Sequence, residues 1–189
     1  MINARPRRDH HLTRQELLDT AMRIVDEDGL AALTMRRLAD AVGLEPMSLY
    51  HHVPNKEALL DLMVRQIRSE VRLPDPMPSD WGELLVAVLF AYRRALCAHP
   101  NMLPLATRAG DGPPIGTQFM MENGLAPADA AELYQALIAF TVGFAMLSAR
   151  SSPMDRTGFD GTGAEWSDAT CDRTLRSIID GYRKAIPTP

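Results

Sequence analysis

Met47, Ser48, Tyr50 and His51 stand together in the short segment Pro46-Met47-Ser48-Leu49-Tyr50-His51-His52, and their types suit contact with nucleic acid. A thioether can lie against a thymine methyl, a serine hydroxyl can meet a base edge, and a phenol or imidazole can donate to a phosphate oxygen. If the segment is helical, Leu49 and Val53 turn inward together, which leaves those four side chains outward and His52 at the margin. Two neighbouring exposed aromatics on a short polar helix have little structural purpose, so DNA contact is preferred to a plain surface patch. Lys56 falls in the first turn of the next helix, where a cation opposes the helix dipole, and that misplacement favours a phosphate-binding role. His51-His52 is not a metal pair, because neighbours on a helix point about 100° apart and lack the i,i+4 spacing of a helical zinc site. His10-His11 is equally weak, and no metal or cofactor is expected.

Positioning those side chains requires two short helices across a tight turn, and residues 33–60 provide them. Thr34 offers an N-cap oxygen, with Leu38, Ala39 and Val42 on one face of the helix that follows. Gly43 permits the left-handed turn that ends it, and Pro46 fits the first turn of the next helix, where a missing N–H costs nothing. This is the helix-turn-helix arrangement, whose second helix can enter a major groove. Ahead of it, Thr13-Arg14-Gln15-Glu16 matches a capping box, opening a helix that carries Leu17, Leu18, Ala21, Met22, Ile24 and Val25 and stops at Gly29. Asn55 caps a helix expected over 55–71.

Leu73-Pro74-Asp75-Pro76-Met77-Pro78 then breaks the chain, since alternating prolines cannot continue a helix. Helices are expected over 81–98, 100–107, 114–122, 127–149 and 167–185, with a flexible loop over 150–166. The helix at 127–149 is apolar on more than one face, through Leu133, Leu137, Ile138, Phe140, Phe144 and Leu147, and calls for cover on several sides. No strand alternation or internal repeat is present. The expected fold is all-α, about nine helices, with a head at 1–72 (mobile arm 1–11, linking helix 55–71) and a larger helical region at 73–189.

Apolar residues make up 46% of the 189, which excludes a disordered class. The net charge of −4 belongs to the second region: residues 1–72 carry 11 basic and 11 acidic side chains, residues 73–189 carry 9 and 13. A balanced head permits salt-sensitive DNA binding without arguing for it. No apolar run approaches the roughly 20 residues that span a bilayer. The basic N-terminus has no apolar segment behind it, so no signal peptide is read and a cytoplasmic location is expected. Cys97 and Cys171 lie outside any CxxC spacing and read as reduced cysteines in or near a core.

In Thr34, Arg36-Arg37-Leu38-Ala39, Gly43, Leu49-Tyr50-His51-His52-Val53 and Asn55-Lys56-Glu57-Ala58-Leu59-Leu60, the chain resembles the tetracycline-repressor (TetR) family of ligand-responsive transcriptional regulators. The later part resembles the tetracycline-type subgroup, in Tyr92-Arg93-Arg94-Ala95-Leu96, Thr107-Arg108, Met120 with Glu122-Asn123-Gly124, and Phe140-Thr141 with Gly143. The resemblance implies a homodimer, built on the helices at 127–149 and 167–185, whose two heads enter successive major grooves of a palindromic operator about 34–36 Å apart. It also implies that Arg36 grips guanine through O6 and N7, and that Tyr50 and Lys56 meet phosphates. The DNA-binding set is then Thr34, Arg36, Met47, Ser48, Tyr50, His51, His52 and Lys56.

An effector is implied as well, with Val88, Tyr92, Pro104, Thr107, Arg108, Thr117, Met120, Tyr134 and Ile138 as the candidate contacts. Met63, Met102, Met120, Met121 and Met146, with Tyr92, Tyr134 and Phe119, suit either core packing or an adaptable cavity wall, and the sequence leaves both open. The family's tetracycline binders use a histidine and a glutamate at the magnesium–drug chelate. Here Pro104 and Leu147 align with those positions, and neither ligates a hard cation, so a magnesium-free, largely apolar effector is expected. Two other readings stand beside this one: an all-α enzyme or small-molecule carrier that has lost regulation, and a DNA-binding regulator that senses a partner protein. No GxSxG, HExxH, P-loop or dinucleotide motif supports an enzyme.

Overall fold

The computed structural model describes residues 12–108, 115–150 and 166–185. The arm at 1–11 and nearly all of the loop expected at 150–166 lie outside them. Among the described residues every regular element is helical: α1 (Arg14–Asp28), α2 (Met35–Val42), α3 (Pro46–Leu49), α4 (Lys56–Ser69), α5 (Trp81–Ala98), α6 (Ile115–Glu122), α7 (Pro127–Arg150) and α8 (Asp168–Ala185). Two 3₁₀ turns, Leu30–Ala32 and Pro100–Leu105, complete them. The chain divides into two compact units, Met1–Met63 and Val64–Pro189.

The first unit forms as its local chemistry directs. The Glu16 amide donates to Thr13 Oγ1 at 3.1 Å while the Thr13 amide donates to Glu16 Oε2 at 2.8 Å, a complete capping box worth about 1 kcal/mol. Leu17, Leu18, Ala21, Met22, Ile24 and Val25 are buried, as the i, i+3, i+4 spacing requires. Thr34 Oγ1 accepts from the Arg37 amide at 3.1 Å and opens α2, which Gly43 closes in the left-handed region at φ 73°. Leu33, Leu38, Leu49, Val53 and Leu59 are fully buried in this unit's core, so both helices of the motif are held by apolar packing. Arg37 pairs with Asp28, tying α2 to the end of α1.

In the second unit α5 packs against α6, α7, α8 and the second 3₁₀ turn. Leu85, Leu89, Met120, Leu133, Leu137, Phe144, Cys171 and Leu175 make its core. Gly116 permits a close approach: a Cβ on it would stand 2.7 Å from Leu85 Cδ2 of α5. Arg93, with its side chain only 7% exposed, pairs with Asp168 and lies over the rings of Phe90 and Phe144 at 5.1 and 5.6 Å. Cation–π contact and the ion pair together stabilise a guanidinium in this apolar setting.

Three expectations are corrected. The stretch at 100–107 is a 3₁₀ turn, not a regular helix, because Pro104 inside it has no N–H for an α-helical bond. The helix expected over 55–71 closes at Ser69, after which the Glu70 and Val71 amides bond three residues back, to Ile67 and Arg68. Finally, Pro127–Ala149 is long and apolar enough to cross a membrane by length and composition, with mean hydropathy 1.5, although no such run is expected from the sequence. Asp129 and Glu132 interrupt the run near its start and hide its length. Leu133, Leu137 and Phe144 of this helix serve the core instead.

Candidate nucleic-acid interface and effector region

The outward side of α3 is set by what its inward side buries. Leu49 and Val53 are fully buried, and the Leu49 carbonyl accepts from both the His52 amide (2.9 Å) and the Val53 amide (3.1 Å). The helix therefore tightens and ends after one turn, and 50–52 continue as turn residues. Met47 is left 76% exposed and Tyr50 42%; His51 is exposed, while Ser48 and His52 are half-buried. Arg36 is exposed on α2. Thr34 is exposed as well, with its hydroxyl oxygen committed to the α2 cap.

Lys56 is not a free cation. Its Nζ donates to the Leu33 carbonyl at 2.6 Å, which ties the start of α4 to the segment just before α2. Two of its three N–H donors remain for other oxygens. Asn55 caps the same helix, its Oδ1 accepting from the Ala58 amide at 2.8 Å. Arg37, beside Arg36, has its charge taken up by Asp28. The two arginines therefore differ in availability, a distinction that adjacency in sequence conceals.

The effector candidates differ in burial. Tyr92 is buried and its hydroxyl donates to the Ala106 carbonyl at 3.3 Å, while Met120 is fully buried. Val88, Arg108, Thr117, Tyr134 and Ile138 are half-buried, and Pro104 and Thr107 are exposed. The methionines separate too: Met63, Met102 and Met120 are core, whereas Met121 and Met146 are exposed at 38% and 39%. Burial pushes the phenols of Tyr92 and Tyr134 up from their ordinary value, and Arg68 pulls both partly back.

Arg68, not singled out by sequence, stands beside Tyr92. Its Nη2 donates to the Arg108 carbonyl at 3.0 Å, and its charge opposes the rise in the Tyr92 phenol's pKa. The available signal was its register: it follows Val64 by one turn and adjoins Ile67, both buried, where the pattern of α4 calls for an apolar residue. A cavity of about 660 Å³ lies elsewhere, between residues 70–78, α5 and α8, lined by Phe90, Ala91 and Arg94 among others and by none of the nine candidates. Among the described residues no three His, Cys, Asp or Glu side chains are grouped to hold a metal ion. Cys171 is buried and Cys97 half-buried, neither in a disulfide; burial raises the Cys171 thiol's pKa, with Arg93 opposing.

Comparison with known proteins adds to this geometry. Residues 17–63 match the family described as bacterial regulatory proteins, tetR family. An HTH-type transcriptional regulator of Saccharopolyspora erythraea is 38% identical over 103 residues, which make up 54% of this chain and 44% of that protein. The tetracycline repressor protein class C of Escherichia coli is 31% identical over 157 residues, 76% of this chain and 69% of the repressor. The chain thus spans less than half of the first relative's length. The structure of the Streptomyces coelicolor TetR family protein ActR in complex with (S)-DNPA is similar at a TM-score of 0.75 and 26% identity, covering 94% of this chain and 100% of ActR.

Proposed function

The chain belongs to the TetR family of transcriptional regulators, and we propose that it is a repressor that binds a palindromic operator as a homodimer and is released by a small, largely apolar effector. The observation that carries the DNA reading is the division of α3 and its turn, with Leu49 and Val53 fully buried beneath an exposed Met47 and Tyr50. The buried pair fixes the frame, so the outward side chains are presented on a rigid support. In this reading Arg36 grips guanine, and Met47 and Ser48 face base edges. Thr34, Tyr50, His51, His52 and Lys56 then lie against the phosphate backbone.

The dimer reading draws on α7. Only 39% of its most apolar stretch is buried within one copy, and Met146 and Leu147 near its end are each 39% exposed. A helix this apolar and this little covered is supported best by a second copy packing on it, with α8 alongside. Release follows if the effector prefers a dimer whose heads no longer match one turn of DNA. Reversing a 99:1 balance between two such states takes about a 10⁴-fold preference. α4 contributes to both units, and is the lever through which the effector would act.

The effector reading keeps the nine candidate contacts, with Tyr92, Met120 and Tyr134 as its inner part. ActR in complex with (S)-DNPA supports a small-molecule ligand. Pro104 and Leu147 offer no ligating side-chain atom, so magnesium is not part of this proposal. No catalytic role is assigned, and the cytoplasm is the location that gives access to an operator. The test is a mobility-shift assay with duplexes tiling the DNA beside the protein's own gene. Retardation at low salt that falls by about 10³-fold or more between 50 and 200 mM salt is expected if six or more phosphates are contacted. Absence of any shift at low salt refutes the reading.

A further inference from the structure

Resting on the dimer reading above, we propose that Arg93 is a positioning residue for dimerisation: it clamps the start of α8 to the part-exposed end of α7, and so fixes the pair of helices offered to a second copy. Its guanidinium meets all three helices of this region. It pairs with Asp168, the first residue of α8, and lies 5.1 Å from the centre of the Phe90 ring of α5 and 5.6 Å from that of Phe144 of α7. Phe144 in turn is tilted against Phe140 at 5.6 Å and edge-on to Trp166, just ahead of α8, at 5.0 Å. Met146 and Leu147, each 39% exposed, lie within one turn of Phe144. The clamp therefore holds α7 at the end where one copy leaves apolar surface in solvent.

A buried charge is a poor way to hold a core together. The Arg93 side chain is 7% exposed and that of Asp168 67%, so the guanidinium has lost most of its hydration while its partner keeps much of its own. An apolar side chain of similar volume would fill the space between the same rings without that loss, and such replacements are often neutral or stabilising. What an apolar side chain cannot do is select one arrangement. Rings slide past an aliphatic chain at little cost, whereas a buried guanidinium that loses its carboxylate is strongly penalised. The contact is directional too, since a planar fork meets a carboxylate along its edge. Asp168 stands in the first turn of α8, where the helix dipole favours an acid, so both interactions act at the same end of that helix. Two other ion pairs join α8 to α5 or its cap, Glu83 with Arg176 and Asp80 with Arg183. Their side chains are 35% to 51% exposed, and pairs so exposed contribute little. Of these three contacts, the one at Arg93 has most to lose from a shift of α8.

Sedimentation equilibrium of the full chain reads the dimer dissociation constant, with far-UV circular dichroism of the same samples reporting the fold. Arg93→Met should stay helical yet dimerise at least about tenfold more weakly. An arrangement populated about a third of the time in each copy gives a loss of that size, because both copies must be competent. Asp168→Asn should weaken the dimer as well, and added to Arg93→Met it should change nothing further, because the two act through one contact. If either variant loses helix content, Arg93→Lys decides, since it keeps the charge and loses the planar fork. A weaker dimer with native helix content then supports the assignment, and a native dimer overturns it. A helical Arg93→Met that dimerises like the native chain, or an Asp168→Asn effect undiminished on top of Arg93→Met, overturns the assignment and leaves the dimer standing. A native chain that is monomeric at every concentration refutes the dimer reading, and the assignment with it.

Discussion

Met47 and Leu49 are two residues apart on one helical turn, and truncating each should produce opposite failures. Leu49 of α3 is fully buried, so Leu49→Ala removes its transfer free energy and leaves a cavity, about 3–5 kcal/mol in all. Small domains hold only about 5–15 kcal/mol, so the first unit loses a large share of its stability. Met47 is 76% exposed, and Met47→Ala should change stability by less than about 0.5 kcal/mol. Its loss at a thymine methyl or base edge should instead weaken operator binding by about 5- to 100-fold, equivalent to about 1–3 kcal/mol. Urea unfolding followed by circular dichroism reads the first quantity, and fluorescence anisotropy of a labelled operator the second. The reasoning fails if Met47→Ala unfolds as readily as Leu49→Ala, or if it is stable and binds operator with native affinity.

Other consequences follow from single contacts. Gly43→Ala meets no atom within 4 Å yet must hold φ at 73°, so it should cost about 1–2 kcal/mol through backbone strain alone, read as a lower urea midpoint. Lys56→Met removes the bond to the Leu33 carbonyl and a cation, and should lower both stability and the salt dependence of operator binding, the latter by about one unit of slope. Tyr92 and Tyr134 should ionise above the ordinary value of 10, as absorbance titration would report. The unfolded chain loses those protons first, so stability should fall as pH rises through about 10. Arg68→Gln should move the Tyr92 transition higher still, because the cation that favours the phenolate is gone.

What could be read in the sequence was whatever local chemistry decides. The Thr13–Glu16 box, the Thr34 cap, the left-handed Gly43 and the Asn55 cap each depend on residues a few positions apart, and all formed as expected. The inward pair Leu49 and Val53 followed from spacing alone. Arg68 did not, since its meaning lies in Tyr92 and residue 108, far along the chain. Lys56 was legible as a cation out of place, but the carbonyl that holds it belongs to Leu33, more than twenty residues upstream. The five methionines looked alike in sequence and divided between core and surface because burial is settled by which helix covers which. The length of the apolar stretch in α7 was obscured by two acids near its start.

The measurement that bears most directly on the central claim is operator affinity as a function of half-site spacing. Once a duplex is bound, inserting about five base pairs between its half-sites turns one major groove to the opposite face of the DNA. A dimer reading two successive grooves should lose at least about 100-fold in affinity, and an insertion of about ten base pairs should also weaken it, because the heads would no longer reach both sites. Affinity unchanged by either insertion would contradict a paired, two-groove regulator built on α3.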